Sequence, residues 1–143
     1  AIRSPSGTRL EAGTMVDRFE QFQTESGMVV PAAAEALSHE DFPALGALVD
    51  LSQQCAERRR GKKVPETVEL ARSARTLGAV AASAFGAGFG GSVWALVRTD
   101  GARKFASRWE AKYRQSFPEA ARASEVFVTG AGPAATRLAN PHS

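Results

Sequence analysis

Between Ala79 and Val97 the hydrophobic period of the chain changes, and the glycines at the centre of that stretch dictate how it turns. Ala79 to Phe85 is small and apolar, and Val93-Trp94-Ala95-Leu96-Val97 is a near-continuous apolar run. Both read as strands. Between them stands Gly86-Ala87-Gly88-Phe89-Gly90-Gly91-Ser92. Glycine is needed where φ is positive or where backbone approaches another group closely. Successive exposed N–H groups in such a loop can form an anion-binding concavity. The spacing of Gly86, Gly88 and Gly91 also satisfies Gly-x-Gly-x-x-Gly. A dinucleotide fingerprint must open a helix, whereas here a strand-like run follows, so that reading is excluded. On spacing alone, a tight glycine hairpin that merely packs remains open.

The chain before this hairpin reads as helical. Residues 1–14 show no hydrophobic period and are rich in Gly, Ser, Thr and Pro, which predicts a flexible leader with Met15 as a candidate start. From Met15, Val16, Phe19 and Phe22 (or Gln23) recur at helical spacing. Gly27 and Pro31 interrupt them, predicting one kinked helix or two short ones to about Ser38. Asp41 caps the next helix, with Pro43 in its first turn and Leu45, Leu48, Ser52 and Cys55 along one face. Val64-Pro65-Glu66-Thr67 opens a third, with Leu70, Ala74 and Leu77 as its buried stripe and Gly78 as its stop.

After the hairpin, Thr99-Asp100-Gly101 is a turn. Ala102, Phe105, Trp109, Lys112 and Tyr113 then follow at helical spacing as far as Phe117-Pro118. Val126-Phe127-Val128 reads as a third strand before a Gly/Pro tail. Helices followed by strand–loop–strand–helix–strand predict an α+β fold with the rhythm of a ferredoxin-like split βαβ unit.

Composition narrows the function classes. The 143 residues fit one domain, and 43% hydrophobic with 23% charged content is ordinary for a globular chain. No apolar run approaches the roughly 20 residues that span a bilayer, and no secretory signal is visible, so a cytoplasmic, non-membrane protein is expected. The one cysteine, Cys55, excludes an intramolecular disulfide and reads as a half-buried small hydrophobe. His39 and His142 have no companion ligand at metal-binding spacing, so no metal site is assigned.

The net charge of +3 owes much to Arg58-Arg59-Arg60-Gly61-Lys62-Lys63. No aromatic residue interleaves that run, and cations followed by Gly suit a solvated helix end better than a nucleic-acid site. Glu25, Glu35 and Glu66 read as solvated or capping groups on helices.

Taken with its surroundings, the glycine loop gains specificity. Gly86 to Ser92 followed by Val93 to Val97 resembles the third conserved motif of galactokinases, members of the GHMP kinases (galacto-, homoserine, mevalonate and phosphomevalonate kinases). Val30-Pro31-Ala32-Ala33-Ala34-Glu35-Ala36-Leu37 resembles the family's helical "PAAAEAL" stretch, and Leu45 to Ser52 its "FGxLMxxS" helix. Val64 to Thr67 is similar to the proline-led start of its next helix, and Gly132-Pro133-Ala134-Ala135 to its final turn. The resemblance runs in consistent order over about residues 16–138, which sets a domain at 15–138 and a tail at 139–143. Two departures stand out. Ser83-Ala84-Phe85 occupies positions where the family usually carries Arg-Met-Thr, and Ser92 stands for its usual Cys.

The resemblance implies a GHMP kinase C-terminal domain with a small antiparallel sheet. It also implies ATP- and Mg²⁺-dependent phosphorylation of a sugar hydroxyl, the anomeric one of galactose or a related sugar. The family's sugar motif (GRxNLIGEHxDY) and phosphate loop (PxGxGLSSSA) are not in this sequence, so the proton-transfer groups and most nucleotide contacts would come from an N-terminal kinase domain as partner. No catalytic residue is assigned here. Gly86, Ala87, Gly88, Phe89, Gly90, Gly91 and Ser92 would support the phosphate loop and shape the sugar pocket, and the chain alone would be inactive. An exposed domain interface would favour self-association. A stand-alone ligand-binding or regulatory α+β module is the alternative.

Overall fold

In the computed structural model the described residues are 19, 22–60, 64–85, 91–134 and 136. A π-helical turn, Glu25–Val29, runs directly into α1, Val30–Ser38. The cause is local. Pro31 has no N–H to give to the carbonyl of Gly27, and the chain widens by one residue, the Val30 N–H reaching the Glu25 carbonyl. The expected interruption at Gly27 and Pro31 is thus a π turn within a helical segment.

A two-residue turn leads to α2, Phe42–Arg60, whose start is capped as expected: the Asp41 Oδ1 accepts from the Ala44 N–H at 3.0 Å. Helix α3, Pro65–Thr76, begins at the expected proline and ends before Gly78, whose φ of +101° an L side chain rarely adopts. The strands β1, Ala81–Phe85, and β2, Ser92–Leu96, form an antiparallel hairpin in which Ala81 faces Leu96, Ser83 faces Trp94 and Phe85 faces Ser92. A 3₁₀ turn, Thr99–Gly101, leads into α4, Ala102–Ser116, and Pro118 starts the short α5, Pro118–Ala121.

The hairpin lies between helices. Ala82, Val93 and Ala95 face α3 and α4 in a core with Ala74, Ala79, Trp109, Leu70, Leu77 and Phe105. The opposite face of β1 lies against α2, through Ser83. Ala81 and Ala82 are both fully buried because each face of β1 is covered there. The same face of β2 is open: Trp94 is 38% and Leu96 37% exposed. Helix α4 is fastened to α3 by the Trp109 indole, whose Nε1–H donates to the Leu70 carbonyl at 3.0 Å and the Ser73 Oγ at 3.3 Å.

The fold is α+β, with several helices and a small two-stranded antiparallel sheet. The third strand expected at Val126–Val128 does not form. Val126 packs on the core, whereas Phe127 is 74% exposed and the segment joins no ladder. A three-residue apolar run reports that one residue is buried, but a strand also needs a neighbour offering unpaired backbone groups in register. Among the described residues no helix is long and apolar enough to cross a membrane.

Candidate functional site

The glycine loop is closed at its base by the Phe85–Ser92 pair, so it joins two adjacent antiparallel strands. That geometry bears out the exclusion of a dinucleotide fold, since a strand and not a helix follows the glycines. Gly86, Ala87, Gly88, Phe89 and Gly90 lie outside the described residues, as do the basic-run residues Gly61, Lys62 and Lys63 and the side chains of Arg58, Arg59 and Arg60. Gly91 and Ser92 are exposed at the loop's C-terminal end. Gly91 has a φ of +124°, which explains glycine at this position.

Helix α2 meets the strand that leads into the loop along one row of positions at helical spacing: Gly46, Asp50, Gln53 and Glu57. At Gly46 the helix comes so close to the sheet that a Cβ would overlap the Val80 carbonyl oxygen and meet the Arg75 guanidinium. One turn on, Asp50 binds Arg75 of α3 through both carboxylate oxygens. Arg75 Nε donates to Oδ1 at 3.0 Å and Oδ2 at 3.1 Å, and Nη2 donates to Oδ2 at 2.9 Å. The remaining nitrogen, Nη1, donates to the carbonyls of Ala79 and Val80, where the chain enters β1. Gln53, 7% exposed, comes next and reaches Ser83 and Ala84. The row therefore grips the chain from Val80, just before β1, to Ala84, two residues before Gly86.

Neither Gln53 nor the Asp50–Arg75 pair stands out in the sequence, where a polar residue on a helix reads as solvated. The recoverable signal is the i, i+4, i+7, i+11 recurrence of small and polar residues beside the expected stripe of Leu45, Leu48, Ser52 and Cys55. Of that stripe, Leu45 is buried and the others are half-buried. Glu25 accepts from the Ser52 hydroxyl at 3.1 Å, tying the π turn to α2. His39 stays in the turn after α1, its Nδ1 3.0 Å from the Glu35 carbonyl. Cys55 is half-buried.

Among the described residues no group of three or more His, Cys, Asp or Glu side chains could hold a metal ion. Burial, aided by the negative charge of Glu66, raises the pKa of Tyr113 above the ordinary phenol value. It is a buried residue of α4 under the influence of Glu66 in the first turn of α3.

No curated protein matches this sequence closely enough to count as a relative. The family model for the C-terminal region of GHMP kinases matches residues 33–115, more than half of the chain. The matched span takes in α2, α3, both strands, the glycine loop and nearly all of α4. An α+β domain with this element order and that match belongs to the GHMP kinase family, as its C-terminal domain.

Proposed function

We propose that this domain serves an ATP-dependent sugar kinase of galactokinase type, in which a γ-phosphoryl group passes from ATP to the anomeric oxygen of galactose or a related sugar, giving ADP and a sugar 1-phosphate. The observation that carries this reading is the glycine loop within a GHMP kinase domain: a glycine-rich turn between paired strands, ending in a positive-φ glycine and an exposed serine. Phosphoryl transfer relies on alignment and charge stabilisation, a task that the backbone N–H groups of a glycine-rich segment would suit. The residues assigned to that task are Gly86, Ala87, Gly88, Phe89, Gly90, Gly91 and Ser92.

ATP and Mg²⁺ belong to the reading as family requirements. Among the described residues no cluster of acidic side chains suits a metal ion. Nucleotide, metal and the group that deprotonates the sugar are assigned to an N-terminal kinase domain acting with this one. The open face of β2, with Trp94 and Leu96, would allow a second body to pack beside the loop.

The test joins this chain to the nucleotide-binding domain of a GHMP kinase and measures ADP release with a panel of sugars. Sugar-dependent turnover that falls when Gly91 is replaced supports the reading. A folded assembly that binds ATP yet phosphorylates no sugar refutes it.

A further inference from the structure

A glycine loop is only as well placed as the strand ends that carry it, and one buried side chain acts on those ends directly. The Gln53 Oε1 accepts from the Ser83 Oγ at 2.9 Å and from the Ala84 N–H at 3.2 Å, and its Nε2 donates to the Glu57 Oε1 at 2.7 Å. The amide can point only one way. A backbone N–H can only donate, so oxygen must face Ala84, and an ionised carboxylate can only accept, so nitrogen must face Glu57. The Glu57 carboxylate thereby orients Gln53, and Gln53 fixes the two residues before Phe85. Because Phe85 is paired with Ser92, the same contact sets where both ends of the loop leave the sheet.

We infer that Gln53, oriented by Glu57, is a positioning residue for the stem of the hairpin, Ser83 to Phe85 and the paired Ser92, from which the glycine loop leaves. Simple space-filling would not call for an amide here, since an apolar side chain of equal length fills the volume and spares the cost of burying a polar group. The amide's particular contribution is a directional hold on Ser83 and Ala84, the last residues of β1 before the loop's base. Its consequence for catalysis rests on the kinase reading above; its effect on the loop stem does not.

The experiment compares three forms of the chain by residue-resolved amide exchange: the wild type, Gln53→Met, and the exchanged pair Gln53→Glu with Glu57→Gln. In the exchanged pair the carboxylate keeps an acceptor for Ser83 and Ala84, and the amide at position 57 supplies the donor. The Ala84 amide in Gln53→Met should exchange roughly tenfold faster, the size expected when a buried donor loses its partner. The exchanged pair should stay within about threefold of wild type, since its acceptor is restored. The Val80 amide, bonded to the Leu96 carbonyl at 2.8 Å, is the internal reference and should not change. Wild-type exchange at Ala84 in Gln53→Met overturns the inference. So does an exchanged pair as fast as Gln53→Met. Quickened exchange at Val80 as well would mean that the whole sheet has loosened, and would also overturn it. In the assembled kinase, Gln53→Met should lower kcat/KM by roughly ten- to a hundredfold, as misplaced site groups do, with the exchanged pair restoring it. Unchanged kcat/KM beside a quickened Ala84 would refute the positioning role. A wild type without phosphoryl transfer would refute the kinase reading alone, because the exchange measurement needs no turnover.

Discussion

Replacing Gly46 with alanine should destabilise the chain, although in an ordinary helix interior the same change is stabilising by roughly 1 kcal/mol. Gly46 lies inside α2, and nothing in its own helix calls for glycine. The demand comes from across the interface, where a Cβ would overlap the Val80 carbonyl oxygen and crowd the Arg75 nitrogens. The carbonyl is backbone and cannot swing aside, so α2 must move off β1. Overpacking of this kind costs about 1–3 kcal/mol. Retreat of α2 also strains the grip of Asp50 on Arg75 and of Arg75 on the Ala79 and Val80 carbonyls, and hydrogen bonds to charged groups contribute about 1.5–3 kcal/mol each. Overpacking less the helix gain leaves about 0–2 kcal/mol, and partial loss of one of these half-exposed bonds adds about 1–2, for a net loss of about 1–4 kcal/mol, or a melting shift of roughly 4 °C per kcal/mol for a chain of this size. Urea unfolding followed by far-ultraviolet circular dichroism measures it, with an unchanged slope showing that the denatured state is unaffected. Gly27→Ala is the control: a Cβ there meets nothing within 4 Å, so that variant should be neutral or slightly more stable. A Gly46→Ala chain as stable as wild type would refute the close approach of α2 to β1, and with it the account of how the loop is held.

Three further outcomes are expected. Trp109→Phe keeps the ring in the core but removes the donor shared by the Leu70 carbonyl and Ser73 Oγ, and should lower stability by about 1–2 kcal/mol in the same urea assay. Gly91→Ala forces a side chain into a φ of +124° with no steric neighbour, so it should cost about 1–3 kcal/mol through backbone strain alone, read as a lowered melting temperature. Tyr113 holds its proton more tightly folded than unfolded. Its contribution is therefore fully present below the ordinary phenol pKa of about 10 and lost as pH rises further; melts from pH 9 to pH 11 should fall more steeply for wild type than for Tyr113→Phe.

Much of the scaffold is legible in the residues because its signals are local. Asp41 caps three residues away, Pro65 and Pro118 start helices, and Gly78 stops one through its own φ. The hairpin is legible because two apolar runs flank the glycines. What escapes is decided between elements. Val126-Phe127-Val128 has strand-like composition, yet a ladder depends on a partner edge that no local pattern encodes. Gln53 stands between Ser52 and Gln54 with nothing to mark it, and only the arrival of Ser83 and Ala84 makes it a buried group. Asp50 and Arg75 are 25 residues apart, and either alone reads as a solvated charge. The role proposed for the loop comes from its resemblance to a kinase motif, because glycine spacing alone is shared with hairpins that merely pack.

The polar ridge of α2 follows from how small the residues of β1 are. Ala81, Ala82 and Ala84 let helices approach from both faces, but alanines present no knobs to interlock. A helix lying on such a strand could slide along it at little cost in buried area. Directional contacts remove that freedom: Asp50 acts through Arg75 on two fixed carbonyls, and Gln53 on one fixed N–H and one hydroxyl. Polar groups shut off from water in this way, Gln53 almost fully and the Asp50–Arg75 pair in part, add little net stability over apolar replacements, yet they are costly to break one partner at a time. Their effect here is to make one register of α2 on β1 much better than its neighbours. That is the property a short hairpin needs if its tip is to sit at a fixed place relative to the helices.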